Sequence, residues 1–259
     1  MIPALRSEWT KLRTVSSSAW LCLGVVTVTV ALSAMVTASV DVRHGPADPT
    51  QTSLFGVRVG QIAVVVLAVL VVSNEYGNRM IQTTFTATPR RWTVLAAKVS
   101  AVTAVTLVAG TIGVALSLYI GRGILPGRGF TAANGYPLPS LADEATRRAV
   151  LGSIGYLVLI GLLSIGIATI VRDTAGAITT VLALLFLAPM ITFFISDPQW
   201  HRRLDRYAPM TAGLSVQQTR DLASLPVGPV AGLATLGVWA AAALLAGAVV
   251  LRLRDTQRG

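Results

Sequence analysis

Six stretches of this chain each run for about twenty residues with almost no charge, and that recurrence limits the fold more than any other feature. They cover approximately 19–39, 57–73, 93–120, 149–171, 175–196 and 229–251. A hydrocarbon layer about 30 Å thick is crossed by roughly 20 helical residues, so each run is a candidate membrane span. No long soluble domain fits between them. The composition agrees: 53% of the 259 residues are hydrophobic, only 12% are charged, and the mean hydropathy is +0.68. These values lie outside the range of soluble globular chains.

The runs are continuously apolar and rich in Ala, Leu and Gly, without the in-and-out alternation of membrane strands. Helices also satisfy their own backbone groups in lipid. The expected fold is therefore all-α: a polytopic membrane protein with six transmembrane helices in a single domain, 1–259. A signal peptide is an alternative for the first run, since Arg6, Lys11 and Arg13 precede it and Val36-Thr37-Ala38 resembles a cleavage site. Its length, beyond the usual apolar core of a signal, and the five runs that follow favour a span. The single cysteine, Cys22, falls inside that run, where it reads as a small packing residue. Only Lys11 and Lys98 among 21 basic residues are lysines, a usage that fits high-GC bacterial coding.

Six spans put both termini on one side of the membrane. With the N-terminus in the cytoplasm, eleven basic and four acidic residues fall inside, ten and seven outside, for net charges of +7 and +3. The inside segments are shorter, so positive charge is denser there and the N-in, C-in orientation follows. The overall +10 is spread over short loops on both faces, which points to anionic lipid headgroups and not to nucleic acid.

Three polar segments carry further pattern. Residues 1–15 place Leu5, Trp9 and Leu12 on one helical face, with Lys11 and Arg13 elsewhere. That is the pattern of an interfacial helix with Trp9 at the headgroup boundary; a frayed basic terminus that only orients the first span fits the same residues. The outer segment 197–228 is too polar to span but puts Trp200, Leu204 and Tyr207 on one helical face, with Arg202 and Arg206 opposite or beside it. A short amphipathic helix and a solvated loop are both open. His44 and His201 are solitary, which argues against metal binding by either.

The third segment, 74–92, joins the second and third runs. As a helix it places Met80, Ile81 and Phe85 with Thr84 and Thr88 on one half, and Glu75, Arg79 and Gln82 on the other. Glu75 precedes Arg79 by four, the favourable order for a surface ion pair. Pro89 ends the helix, and Arg90, Arg91 and Trp92 mark the start of the next span. Such a helix can rest passively in the headgroups or bind another protein through one face.

The chain resembles bacterial ABC-2-type permease subunits over nearly its whole length. The likeness rests on LRSEWTKLRT near the start, EYGNRMIQTTFTATPRRWTVLAAK after the second run, VRDTAGAITTVL between the fourth and fifth, LDRYAPMTAG before the sixth, and the basic LRLRDTQRG tail. The resemblance implies a six-span permease, cytoplasmic at both ends in a bacterial cell membrane. It implies a dimer with a second permease copy that works with separately encoded ABC ATPase subunits. ATP and Mg would be held by those partners, and the N-terminal interfacial helix and the loop after the second span, from Glu75 and Tyr76 to Arg91, would dock them. The family's loop usually has Gly where this chain has Arg79 and Arg where it has Gln82, so the positive charge here sits one turn earlier.

Other chemistry finds no support. There is no G-x-x-x-x-G-K-[ST] phosphate loop, and the glycine-rich GRGILPGRG at 121–129 has no lysine. No HExxH, paired intramembrane acids or Ser-His arrangement is visible, so no cofactor site and no enzyme are expected in this chain. Arg58 and Lys98 lie near run ends where long side chains can snorkel to water. Gln61, Thr103, Thr106 and Thr111 are polar candidates within runs, more often groups that bond between helices than substrate ligands. Gly228 and Gly232, and Ala243 with Gly247, give small-xxx-small spacing in the last run, open to packing within the chain or to dimer contact. The expected function is ATP-driven export of an apolar or amphipathic substrate; the alternative is a non-transporting membrane subunit of an ABC complex.

Overall fold

The structure is a computed structural model and describes residues 16–44, 47–77, 91–192, 194–195 and 197–253. The expected interfacial helix 1–15 lies outside the described residues, as does most of the 74–92 segment. Among the described residues all regular structure is helical. In chain order the helices are α1 (Ser16–Ser39), α2 (Pro49–Ser53), α3 (Val57–Gly77), α4 (Arg91–Ile124), α5 (Glu144–Val171), α6 (Thr174–Thr192), α7 (Pro198–Tyr207), α8 (Pro209–Leu214) and α9 (Pro229–Leu253). Five of them, α1, α4, α5, α6 and α9, are long and apolar enough to cross a membrane. Helix α3 has 21 residues but a shorter apolar stretch, Val57–Ser73.

Helix ends follow local chemistry. Asp143 precedes α5 in extended geometry, and its carboxylate accepts from the Thr146 amide at 2.9 Å, which starts the helix five residues before the apolar run does. At the other end Arg172 adopts a left-handed conformation, φ 60°, and its amide bonds the Ala168 carbonyl. Asp173 then caps α6 by accepting from the Gly176 amide at 2.7 Å, so two long helices reverse direction across two residues. Pro189 lies inside α6, and the helix ends three residues later, short of the Ser196 limit of the apolar run. A proline removes one backbone donor and crowds the preceding turn.

Helix α5 is the centre of the bundle, packed against α3, α4, α6 and α9, while α1 packs against α3 and α4. Tyr156, Leu157, Ile160, Leu163 and Ile165 of α5 are fully buried. Outward faces of the long helices carry exposed Trp20, Met35, Tyr119, Leu151, Val238 and Leu245. Apolar side chains spread over the sides of several long helices suit a hydrocarbon surround and not water.

Close approach explains the small residues of α9. A Cβ on Gly232 would stand 2.1 Å from the Ala212 carbonyl oxygen of α8. On Gly166 of α5 it would meet the backbone of Ala243 and Leu244 at 2.4 and 2.6 Å, and on Gly247 it would meet the Gly166 carbonyl at 2.9 Å. The spacing of Gly232, Ala243 and Gly247 is therefore used for packing within the chain, and Gly228 meets nothing within 4 Å.

Candidate functional site

The expected ATPase-docking residues divide at the ends of α3 and α4. Glu75 and Tyr76 belong to the last turn of α3, and Arg91 is the first residue of α4. Arg79, Met80, Ile81, Gln82, Phe85, Pro89 and Arg90 lie outside the described residues, as do Leu5, Trp9, Lys11, Leu12 and Arg13. One contact ties the two helices together just beyond that segment: Lys98 Nζ of α4 donates to the Val71 carbonyl of α3 at 2.8 Å. Lys98 is only 5% exposed, so it does not snorkel to water as its place near the start of the run suggested. Its charge-assisted bond goes to a backbone carbonyl within the bundle instead.

The opposite end is interlocked by polar contacts among distant loops. Asp48 caps α2 by accepting from the Thr50 and Gln51 amides, and also accepts from Thr219 N at 2.5 Å, Thr219 Oγ1 at 2.8 Å and Arg220 N at 3.1 Å. Arg148 donates to the Gln218 carbonyl at 2.9 Å, and Arg220 donates to the Gly135 carbonyl while its guanidinium lies 4.5 Å from the Tyr136 ring. Three connections, between α1 and α3, α4 and α5, and α6 and α9, thus form one cap. The Thr146 amide, and after it the Thr146 hydroxyl, hold the Asp143 carboxyl below the usual aspartate value.

Beneath the cap lie two buried polar clusters. Tyr156 Oη donates to Gln61 Oε1, Gln61 Nε2 donates to the Arg58 carbonyl at 2.7 Å, and Gln217 Nε2 donates to Ser153 Oγ at 3.0 Å. Gln61 thus joins two helices, as a polar group within a span should. The threonines differ: Thr111 bonds the Leu107 carbonyl of its own helix, and buried Thr106 Oγ1 has no partner among the described residues.

Helix α7 brings Trp200, Leu204 and Tyr207 together. Asp197 accepts from the Gln199 amide and Pro198 opens the helix, which supplies the N-terminal signal. Trp200 is 54% and Tyr207 60% exposed, so this aromatic face is not consumed by the protein. With Leu184, Leu187 and Ile191 of α6 and Trp239 of α9 it lines an apolar groove of about 440 Å³. Trp239 Nε1 donates to the Tyr207 carbonyl at 2.9 Å and fixes α7 against α9. Beside the groove, Arg202, Arg203 and Arg206 line a second hollow of about 360 Å³ with Gln199 and Pro226; Arg203 and Tyr207 belong to both. Asp205 on the same helix lines neither, and burial raises its carboxyl above the usual value, with nearby His201 opposing the rise.

Reading along the chain finds the aromatic face of α7 but not the groove, because Leu187, Ile191 and Trp239 belong to other apolar runs. It also passes over Asp48, although Asp-Pro is a helix-start pattern that a local search can find. Among the described residues no group of His, Cys, Asp and Glu is placed to hold a metal ion.

These elements define an all-helical protein with helices fit to cross a membrane. Comparison with known protein families, curated proteins and solved structures finds no match.

Proposed function

We propose that this chain is the permease subunit of a bacterial ABC exporter, a six-span protein of the cell membrane with both termini in the cytoplasm. Two copies, or one copy with a related permease, would dock separate ATPase subunits through the 74–92 segment. What supports this reading most is the contrast between the two ends of the bundle. Three connections are interlocked at one end, and at the other α3 and α4, joined by the Lys98 bond to the Val71 carbonyl, flank the string that resembles the family's docking loop.

The coupling mechanism follows from that contrast. ATP binding closes the partner ATPases on each other, and the docked segment moves with them. The Lys98 to Val71 bond resists separation of α3 and α4 close to that segment, so the pair tilts as one body. The 74–92 segment, with Glu75 and Arg79 at favourable spacing, is the lever arm. The substrate that leaves is apolar or amphipathic. The chain itself supplies neither ATP nor Mg binding, which falls to the partner.

The test is reconstitution of this chain with the ABC ATPase encoded beside it in liposomes. Expected are a stable complex, ATP hydrolysis stimulated by a transported amphiphile, and movement of that amphiphile with Mg-ATP. A chain that purifies without any ATPase sinks the proposal. Complex formation with ATP hydrolysis but no movement of any compound favours the non-transporting alternative.

A further inference from the structure

We propose that the groove between α6, α7 and α9 is a binding site for one anionic phospholipid, its acyl chain on the apolar wall and its phosphate among Arg202, Arg203 and Arg206. The two halves of such a ligand are matched by two adjoining hollows. One is almost wholly apolar, walled by Leu184, Leu187 and Ile191 on one side and Trp239 on the other. The second presents three guanidinium groups and no carboxylate, and the two share Arg203 and Tyr207.

The charge is available. Among the described residues no guanidinium of these three arginines donates a hydrogen bond or forms an ion pair. Two of them contact rings, Arg203 at 5.6 Å from the Trp200 ring and Arg206 at 5.8 Å from that of Tyr207. A guanidinium held over an aromatic face keeps its N–H groups for a phosphate, which it can grip with two parallel bonds. The exposed Trp200 and Tyr207 are the side chains that settle at a headgroup boundary, with the ring toward hydrocarbon and the polar edge toward water. A free phosphate would use the arginines alone and leave the apolar wall bare, so a lipid explains both halves. The inference needs no ATPase and holds whichever way the chain crosses the membrane.

The site can be read with the protein's own tryptophans. In a full-length chain carrying Trp9→Phe, Trp20→Phe and Trp92→Phe, emission comes from Trp200 and Trp239 alone. The chain is placed in phosphatidylcholine vesicles containing bromine-labelled phosphatidylglycerol or bromine-labelled phosphatidylcholine, and quenching is followed against mole fraction. Phosphatidylglycerol is expected to bind about five-fold more tightly, a preference that fades at high salt. Arg202→Gln, Arg203→Gln and Arg206→Gln together should abolish it, and the corresponding lysine triple should keep it. If the glutamine triple does not fold, the unmodified arginines still decide through the lipid comparison and its salt dependence. Equal quenching by the two lipids overturns the proposal. So does a preference that survives in a folded glutamine triple, or one abolished by inorganic phosphate at an ionic strength where sodium chloride leaves it intact, which would mark a site for free anions.

Discussion

Asp48 holds five donors with one carboxylate: two amides that begin α2 and three groups from Thr219 and Arg220, about two-thirds of the chain away. Its removal leaves a helix start uncapped and the connection before α9 unanchored at once. Asp48→Ala is expected to lower stability by about 2–3 kcal/mol, the scale of a lost cap together with bonds to a charged group. Asp41, whose carboxylate accepts from the Arg43 amide alone among the described residues, is the control, and Asp41→Ala should shift the apparent unfolding temperature in detergent far less. Equal shifts would show that the link to Thr219 carries no stability. Asp143 supplies a pH test. Its folded carboxyl titrates below the usual aspartate value because the Thr146 amide and hydroxyl bond the charged form. The stability it adds is therefore present above an unfolded value of about 3.9 and is lost as the pH falls through the lower folded value. Asp143→Asn keeps a capping oxygen and removes the charge. The stability gap between the two proteins should be open at neutral pH and close below about pH 4; a gap constant with pH would remove the charge from the explanation.

At the scale of elements, much of the helix pattern is readable from the chain because lipid-facing helices must be apolar all round. The runs 57–73 and 229–251 begin at the same residues as α3 and α9. The run at 149–171 loses the first turn of α5, since Glu144, Arg147 and Arg148 are polar yet held in the helix by the Asp143 cap and by Arg148 on Gln218. The run at 175–196 overshoots α6, as Pro189 lies in it unweighed. Pairing between helices is less readable: a glycine in a run does not name the helix it faces. Gly166 faces α9 and Gly237 of α9 faces nothing within 4 Å, yet both look alike in sequence. Gly166→Leu should force α5 and α9 apart and cost about 1–3 kcal/mol, while Gly237→Leu should be neutral within error in detergent unfolding. Comparable loss in both would mean that α9 also packs against something outside this chain.

For the molecule as a whole, the exporter reading requires the interlocked cap and the 74–92 segment to lie on opposite sides of the membrane. It also requires the 74–92 segment to meet the cytoplasm, as the density of positive charge in the sequence predicts. The sequence of the 74–92 segment contains Arg79, Arg90 and Arg91, whereas the cap draws Arg148 and Arg220 into contacts with backbone carbonyls. On that reading the positive charges of the cap cross the membrane during insertion, and their density near the spans, not the total, sets the orientation. In a Cys22→Ser background, single cysteines at Ala133 and Ser224 report the cap, and one at Ala175 reports the α5–α6 turn; all three positions are exposed. With the cap outside, a membrane-impermeant maleimide added to intact cells should label the first two at once. The third should react only after the membrane is opened. The reverse pattern would place the 74–92 segment outside the cell, beyond reach of any ATPase, and would end the exporter proposal while leaving the lipid groove untouched.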